Sequence, residues 1–228
     1  VVPRGKPIVV TGAMLPPGLP GADGPMNLLH ALLTAASAES ASQGVVVVMS
    51  AGIHAAREVT KAHSMGLDAF KSLDYGPLGA IEETRVVYRR RISPGPTVPV
   101  TVMSAKVEGL KCYADSSDAP LRALVAAGYR GVVLEALGSG QVSPGLMPAI
   151  GDAVRDGVTI VVTSRCPSGG LLRDHYGLPI RVDGDERDLL EAGALFSNLR
   201  GPKARVALAV GLSAGLTGDA LRSLVAWE

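Results

Sequence analysis

Four short segments carry the residues of this chain that could do chemistry. They are T-G-A-M at residues 11–14, R-E-V-T-K at residues 57–61, G-S-G-Q at residues 138–141 and S-R-C-P-S-G at residues 164–169. Each comes after an apolar run of strand length. Because ligands of open parallel sheets collect beyond the carboxyl ends of the strands, we expect one site built from both halves of the chain.

Lys61 is the candidate for chemistry in the second segment. Most lysines are solvated surface charges, so position alone is weak evidence. A lysine acts as a base only where burial or a neighbouring cation favours its neutral form. As a cation it can instead hold a carboxylate and a hydroxyl in place and assist a nucleophile. The sequence leaves both roles open.

Glycine and other small residues in the remaining segments indicate that a ligand could approach the main chain closely. Gly12 and Ala13 could present their backbone to a ligand, because glycine permits close contact and alanine adds little bulk. The pair Asp23-Gly24 is a common turn and is expected to shape the loop rather than perform chemistry. Taken alone, these segments and the G-S-G turn at residues 138–140 also fit ordinary turns.

Together these segments resemble the bacterial L-asparaginase family. The family patterns read G-A-M-R-P, S-A-D-G-P-x-N-L and R-D-V-T-K. This sequence is similar to them at residues 12–14, 22–25 and 57–61, with Glu58 where the third pattern has aspartate. The G-S-G-Q segment is similar to the family's G-N-G-N-type turn. The resemblance covers nearly the whole chain and is most specific in the first eighty residues or so.

The resemblance implies hydrolysis of L-asparagine, and sometimes L-glutamine, through a threonine nucleophile with no metal or organic cofactor. It implies that Lys61 belongs to a threonine, lysine and aspartate set, and that the main chain of Ala13 contacts the substrate amide. It places Gln141 at the substrate's α-amino end, reached from a neighbouring subunit. It further implies a homodimer or a tetramer of two dimers.

Several departures from the family pattern qualify these expectations. The family's T-G-G-T and G-T-D-T turns, which carry its threonines, come before the point where this sequence begins. We therefore expect a nucleophile outside these 228 residues and an inactive chain on its own. Leu15 replaces the usual arginine, and Gln141 stands where asparagine is common, so substrate preference stays open. The alternatives are a non-catalytic assembly fragment or the amidase subunit of a tRNA amidotransferase.

Composition argues against several other classes of protein. The chain has 22 basic and 21 acidic residues, a formal net charge of +1, so no field of one sign favours nucleic acid or an anionic membrane. Cys112 and Cys166 are its two cysteines, without the spacing of a metal site, which favours a reducing compartment. We expect the cytoplasm, with the periplasm or secretion as the alternative if a signal precedes this sequence.

The pattern of elements predicts an α/β fold of two parallel-sheet, flavodoxin- or Rossmann-like domains, the first of them incomplete. We place the domains at residues 1–85 and 106–228, with a proline-rich linker at residues 86–105. An incomplete first domain should show an exposed strand edge and apolar surface within about its first 80 residues.

Apolar spacing predicts the individual elements. We expect a helix at residues 26–42, with Leu29, Leu32, Leu33 and Ala36 on one face at three- and four-residue spacing. The other predicted strands and helices lie at residues 8–10, 45–49, 107–110, 118 onward, 131–137, 144–155, 158–163, 202–212 and 217–226.

Overall fold

The computed structural model describes residues 5–93, 95–172 and 182–226. Contacts divide the chain into two compact units, residues 1–97 and 98–228. Each unit has its own main sheet and its own buried core. The longest helices of the described part have 13 residues, and none of those helices is long and apolar enough to cross a bilayer.

The first unit is built on a mixed five-stranded sheet. Its elements are β1 (Ile8–Val10), α1 (Gly24–Ala36), β2 (Val45–Met49), β3 (Gly52–Ala55), β4 (Thr60–Lys61), β5 (Phe70–Lys71), β6 (Gly79–Glu82) and β7 (Arg85–Tyr88). The strand order is β1-β2-β3-β6-β7, and β4 with β5 forms a separate hairpin. Among the described residues of this unit, the β1–β2 pair is parallel and the other strand pairs are antiparallel.

Buried valines in β2 and a glycine in β6 allow the strands of this sheet to pack closely. β2 reads V-V-V-V-M, and its Val46 and Val48 are completely buried, as β-branched side chains in a central strand often are. At Gly79 a Cβ atom would lie 2.1 Å from the carbonyl oxygen of Val87, so β6 can pair with β7 here only because this residue is glycine. Residues 86–88, which fall within the predicted linker, form the end of β7.

The predicted bounds of the first helix were wrong. The α-helix ends at Ala36, and a separate 3₁₀ turn follows at Ala38–Ser42. Its buried residues are Asn27, Ala31 and Thr34, whereas Leu32 is 60% exposed. Both buried polar side chains have hydrogen-bond partners, so the helix packs on β1 and β2 through a narrow mixed face that apolar periodicity does not reveal.

Apolar surface is exposed beside this helix. β1 is an edge strand of the sheet, and its Val10 is 49% exposed. The outer side of α1 also exposes large apolar side chains, namely Met26, Leu28, Leu29 and Leu32.

The second unit has a wholly parallel sheet with helices on both faces. Its elements are β8 (Val107–Lys111), α2 (Ala119–Ala126), β9 (Gly131–Ala136), α3 (Met147–Arg155), β10 (Thr159–Ser164), α4 (Glu186–Glu191), β11 (Leu195–Phe196), α5 (Gly201–Ser213) and α6 (Gly218–Ala226). The strand order is β11-β10-β9-β8. One core cluster lies with α2 and α3 and the other with α5 and α6. The α/β class is confirmed, with a parallel sheet here and a mixed sheet in the first unit.

Candidate active site

The loop after β1 is wrapped around one carboxylate. The backbone N–H groups of Met14 and Leu15 donate to Asp23, with N–O distances of 3.0 and 2.9 Å. These two bonds hold the pKa of the Asp23 carboxyl below its ordinary value. The expected role of Asp23 in shaping this loop therefore agrees with its contacts, and the exposed Ala13 lies within the loop that it shapes.

Asn27, on the first turn of α1, joins this loop to the end of β2. Its Nδ2 donates to the carbonyl of Gly12 at 3.0 Å, and its Oδ1 accepts from the N–H of Ser50 at 3.0 Å. A further bond runs from Thr11 Oγ1 to the carbonyl of Val48 at 2.7 Å. The carboxyl ends of the parallel strands β1 and β2 are thus tied together, where ligands of α/β sheets usually bind.

The sequence interpretation missed Asn27. The signal that could have found it is the asparagine of the S-A-D-G-P-x-N-L pattern, which falls four residues after Asp23. That spacing places the two side chains on one side of a helix turn, and Asn27 Nδ2 indeed donates to Asp23 Oδ2 at 2.9 Å.

Lys61 lies on the separate two-stranded hairpin, where it pairs with Phe70. It is exposed and forms no ion pair within the described residues. The loop of the hairpin is ordered by His63, whose Nδ1 accepts from the N–H groups of Met65 and Gly66 at 3.0 and 2.9 Å. Lys61 therefore lies on a hairpin with an ordered loop, and its side chain is accessible to a ligand.

Glu58 anchors the segment that leads into this hairpin. Its side chain is 6% exposed and accepts two bonds from Arg90, at 3.2 and 2.6 Å. Arg90 also donates to the carbonyl of Gly76 at 2.8 Å, and Arg57 donates to the carbonyl of Ser93 at 3.1 Å. The R-E-V-T-K motif therefore divides into structural residues, Arg57 and Glu58, and an exposed lysine at its end.

A cavity of about 380 Å³ lies in the first unit beside this hairpin. Ser50, His54 and Ser72 are among the residues that line it, together with apolar side chains, while Ala13 and Lys61 do not. His54 Nδ1 and Ser72 Oγ are 3.0 Å apart, and both residues are more than nine-tenths buried. Burial lowers the pKa of His54, which favours the neutral imidazole.

Gln141 lies at the carboxyl end of β9 in the second unit. It closes a tight turn in which its N–H donates to the carbonyl of Leu137 at 3.1 Å and its carbonyl accepts from the N–H of Leu137 at 2.8 Å. Gly138 and Gly140 have φ angles of 44° and 123°, a region that favours glycine. The hydroxyl of Ser164 donates to the carbonyl of Gly138, so two of the four predicted segments meet here.

The first unit thus holds Ala13 and Lys61, and the second holds Gln141. The first unit carries the wrapped loop, the linked strand ends and the presented lysine. Residues 1–94 match the family model described as Asparaginase, N-terminal, and residues 106–225 match Glutaminase/Asparaginase C-terminal domain. The chain belongs to the asparaginase family.

Individual asparaginase relatives are similar to most of the chain. "L-asparaginase 2" of Escherichia coli (strain K12) is 35% identical over 214 residues, which are 91% of this chain and 59% of that protein. "L-asparaginase" of Bacillus licheniformis is 33% identical over 206 residues, 90% of this chain and 62% of that protein. "Glutaminase-asparaginase" of Pseudomonas fluorescens biotype A is 33% identical over 173 residues, 73% of this chain and 48% of that protein. The chain therefore spans about half to three fifths of the length of these asparaginases.

Proposed function

We propose that the natural protein containing this chain hydrolyses the side-chain amide of L-asparagine to L-aspartate and ammonia. Membership of the asparaginase family supports the reaction class. The observation that carries the proposal is Lys61, an exposed lysine with no ion pair among the described residues, on a hairpin whose base is fixed by Glu58 and Arg90. Its charge is free to act on a nucleophile or a substrate.

The attacking group in this proposal is a threonine hydroxyl from outside the 228 residues. Its oxygen bonds to the amide carbon, the C–N bond breaks, and the nitrogen leaves as ammonia with the proton of the hydroxyl. Water then cleaves the acyl-enzyme, which releases L-aspartate and restores the hydroxyl. Lys61 assists either as a cation beside the developing negative charge or as the group that takes the hydroxyl proton.

Ala13 and Gln141 are the proposed substrate contacts. The main chain of Ala13 would meet the side-chain amide, which is consistent with a loop held by Asp23 and Asn27. Gln141 would bind near the α-amino group of a substrate in a neighbouring subunit, so we propose a homodimer or a tetramer. Because the name of one relative includes glutaminase, L-glutamine is a proposed second substrate.

The intact mass and the N-terminal residue of the natural protein, followed by an ammonia-release assay with L-asparagine, test this proposal. We expect hydrolysis by a protein that carries a segment before Val1 with the threonine turns, and none by the 228-residue chain alone. A chain that starts at Val1 and still hydrolyses L-asparagine would place the nucleophile within it, against the proposal.

A second candidate is a non-catalytic subunit of an asparaginase-like assembly. Such a subunit would assemble with itself or with a complete copy but would release no ammonia. Light scattering on the natural protein, combined with the ammonia assay, separates the two candidates.

The compartment is also a proposal. The two free cysteines favour the cytoplasm. A relative from Haemophilus influenzae, 34% identical over 214 residues, is named "Probable L-asparaginase periplasmic", which keeps the periplasm as the alternative. Fractionation of source cells with an antibody to this chain distinguishes them.

A further inference from the structure

The side-chain amide of Asn27 uses all of its hydrogen-bonding groups within the protein. Its two N–H groups donate to the carbonyl of Gly12 and to Asp23 Oδ2, and its oxygen accepts from the N–H of Ser50. The residue is 2% exposed, so water offers little substitute for these bonds. Because two partners are acceptors and one is a donor, only one orientation of the amide satisfies all three.

One of these partners, the N–H of Ser50, belongs to a strained turn. Ser50 and Ala51 form the two-residue loop between β2 and β3, with φ angles of 49° and 62°. A hairpin turn of this type requires left-handed backbone at both positions, which is unfavourable for residues other than glycine. The bond from the Ser50 N–H to Asn27 offsets part of this cost and holds the turn beside the loop that contains Gly12.

We propose that Asn27 is a positioning residue of the active site. It fixes the distance between the Gly12-Ala13 main chain and the Ser50-Ala51 turn, and so orients the backbone that meets the substrate amide. This inference rests on the proposed function, which assigns that contact to Ala13. Misplacing a reacting group by about 1 Å can cost about 10²-fold in rate, so the effect should appear mainly in kcat.

Two variants of Asn27 separate its donor role from its acceptor role. Asn27→Asp keeps the acceptor for Ser50 but, when ionised, loses both donors and lies beside the Asp23 carboxylate. Burial and that neighbouring charge raise the pKa of the introduced carboxyl, and its protonated form regains one donor. In the natural protein we expect kcat to fall about 10²-fold at pH 8 and to recover partly, relative to wild type, towards pH 5. Asn27→Leu should lose activity at both pH values.

Hydrogen exchange on the 228-residue chain tests the same geometry without any assay of activity. In Asn27→Leu the amide of Ser50 should exchange faster, whereas Asn27→Asp should keep it protected. Thr34→Val is the matched control, because Thr34 is fully buried on the same helix but donates only to the carbonyl of His30. That variant should change neither the exchange at Ser50 nor kcat.

The outcomes keep the two proposals distinct. If the wild-type natural protein hydrolyses no L-asparagine, the proposed function fails, and the exchange experiment still decides whether Asn27 holds the turn. If the wild type is active and folded Asn27→Leu keeps its kcat and its Ser50 protection, the positioning role is overturned. A fall in kcat for Asn27→Asp that is the same at pH 5 and pH 8 would also contradict it.

Discussion

Arg90 and Glu58 form a two-bond ion pair that ties the chain after β7 to the segment leading into Lys61. The Glu58 side chain is 6% exposed and that of Arg90 is 30% exposed, so the carboxylate is largely removed from water. The position of an exposed lysine therefore depends on a buried contact between residues that are 32 positions apart in the sequence.

Arg90→Met should destabilise the first unit by about 3 kcal/mol, because it leaves the Glu58 charge buried with weaker compensation. Arg57 supplies what compensation remains, with its Nε 3.9 Å from Glu58. Arg89→Met is the matched control, since Arg89 is 59% exposed and pairs with Glu82 at the surface, where such pairs contribute at most about 1 kcal/mol. Urea unfolding of the 228-residue chain measures both, and equal losses would contradict the buried role of Arg90.

Lys61→Met should lower kcat of the natural protein by about 10²-fold or more, because it removes the proposed cation or base, while KM changes little. Unfolding free energy should stay the same, since the side chain is exposed and unpaired among the described residues. Lys71→Met serves as the control: Lys71 is in the facing strand, beside Thr60, and pairs with Asp68 at 2.7 Å. Unchanged turnover in Lys61→Met would remove this lysine from the mechanism.

The stability of the chain should depend on pH through His54. Burial, and to a lesser extent the Arg90 charge, lowers the pKa of His54 in the folded state, whereas the Glu58 charge opposes the shift. The unfolded chain then binds a proton more readily, so the unfolding free energy should fall as the pH drops from about 8 to about 5. His54→Leu should flatten this fall in urea titrations. An equally steep fall in the variant would show that other groups cause it.

The two cysteines should differ in reactivity. Burial raises the pKa of the Cys112 thiol to about 11, so little of it is thiolate at pH 8. Cys166 is only partly buried. With a colorimetric disulfide reagent at pH 8 we expect one thiol to react quickly and the other only after denaturant is added. Cys166→Ser should abolish the quick phase, and its persistence would assign that phase to Cys112.

Local signals predicted the second unit better than the first. The runs at residues 107–110, 131–137 and 158–163 became β8, β9 and β10, because a buried parallel strand is a short apolar run. The β6–β7 hairpin was missed, since A-I-E-E-T-R-V-V at residues 80–87 mixes charged with apolar residues. Its pairing also requires a residue without a Cβ atom at position 79, which is glycine. Leu29 and Leu32, on the apolar face of the predicted helix, are exposed, because periodicity does not say which side of a helix packs against a sheet.

By itself the sequence determined the α/β class, the family and the identity of Lys61, Ala13 and Gln141 as site candidates. These depend on short motifs and on apolar runs that each span a few residues. Only the tertiary structure decided that Asn27 is bonded to residues 15 and 23 positions away, and that Glu58 is neutralised by Arg90. Such contacts depend on which distant groups the fold brings within hydrogen-bond distance, and no local pattern encodes that distance.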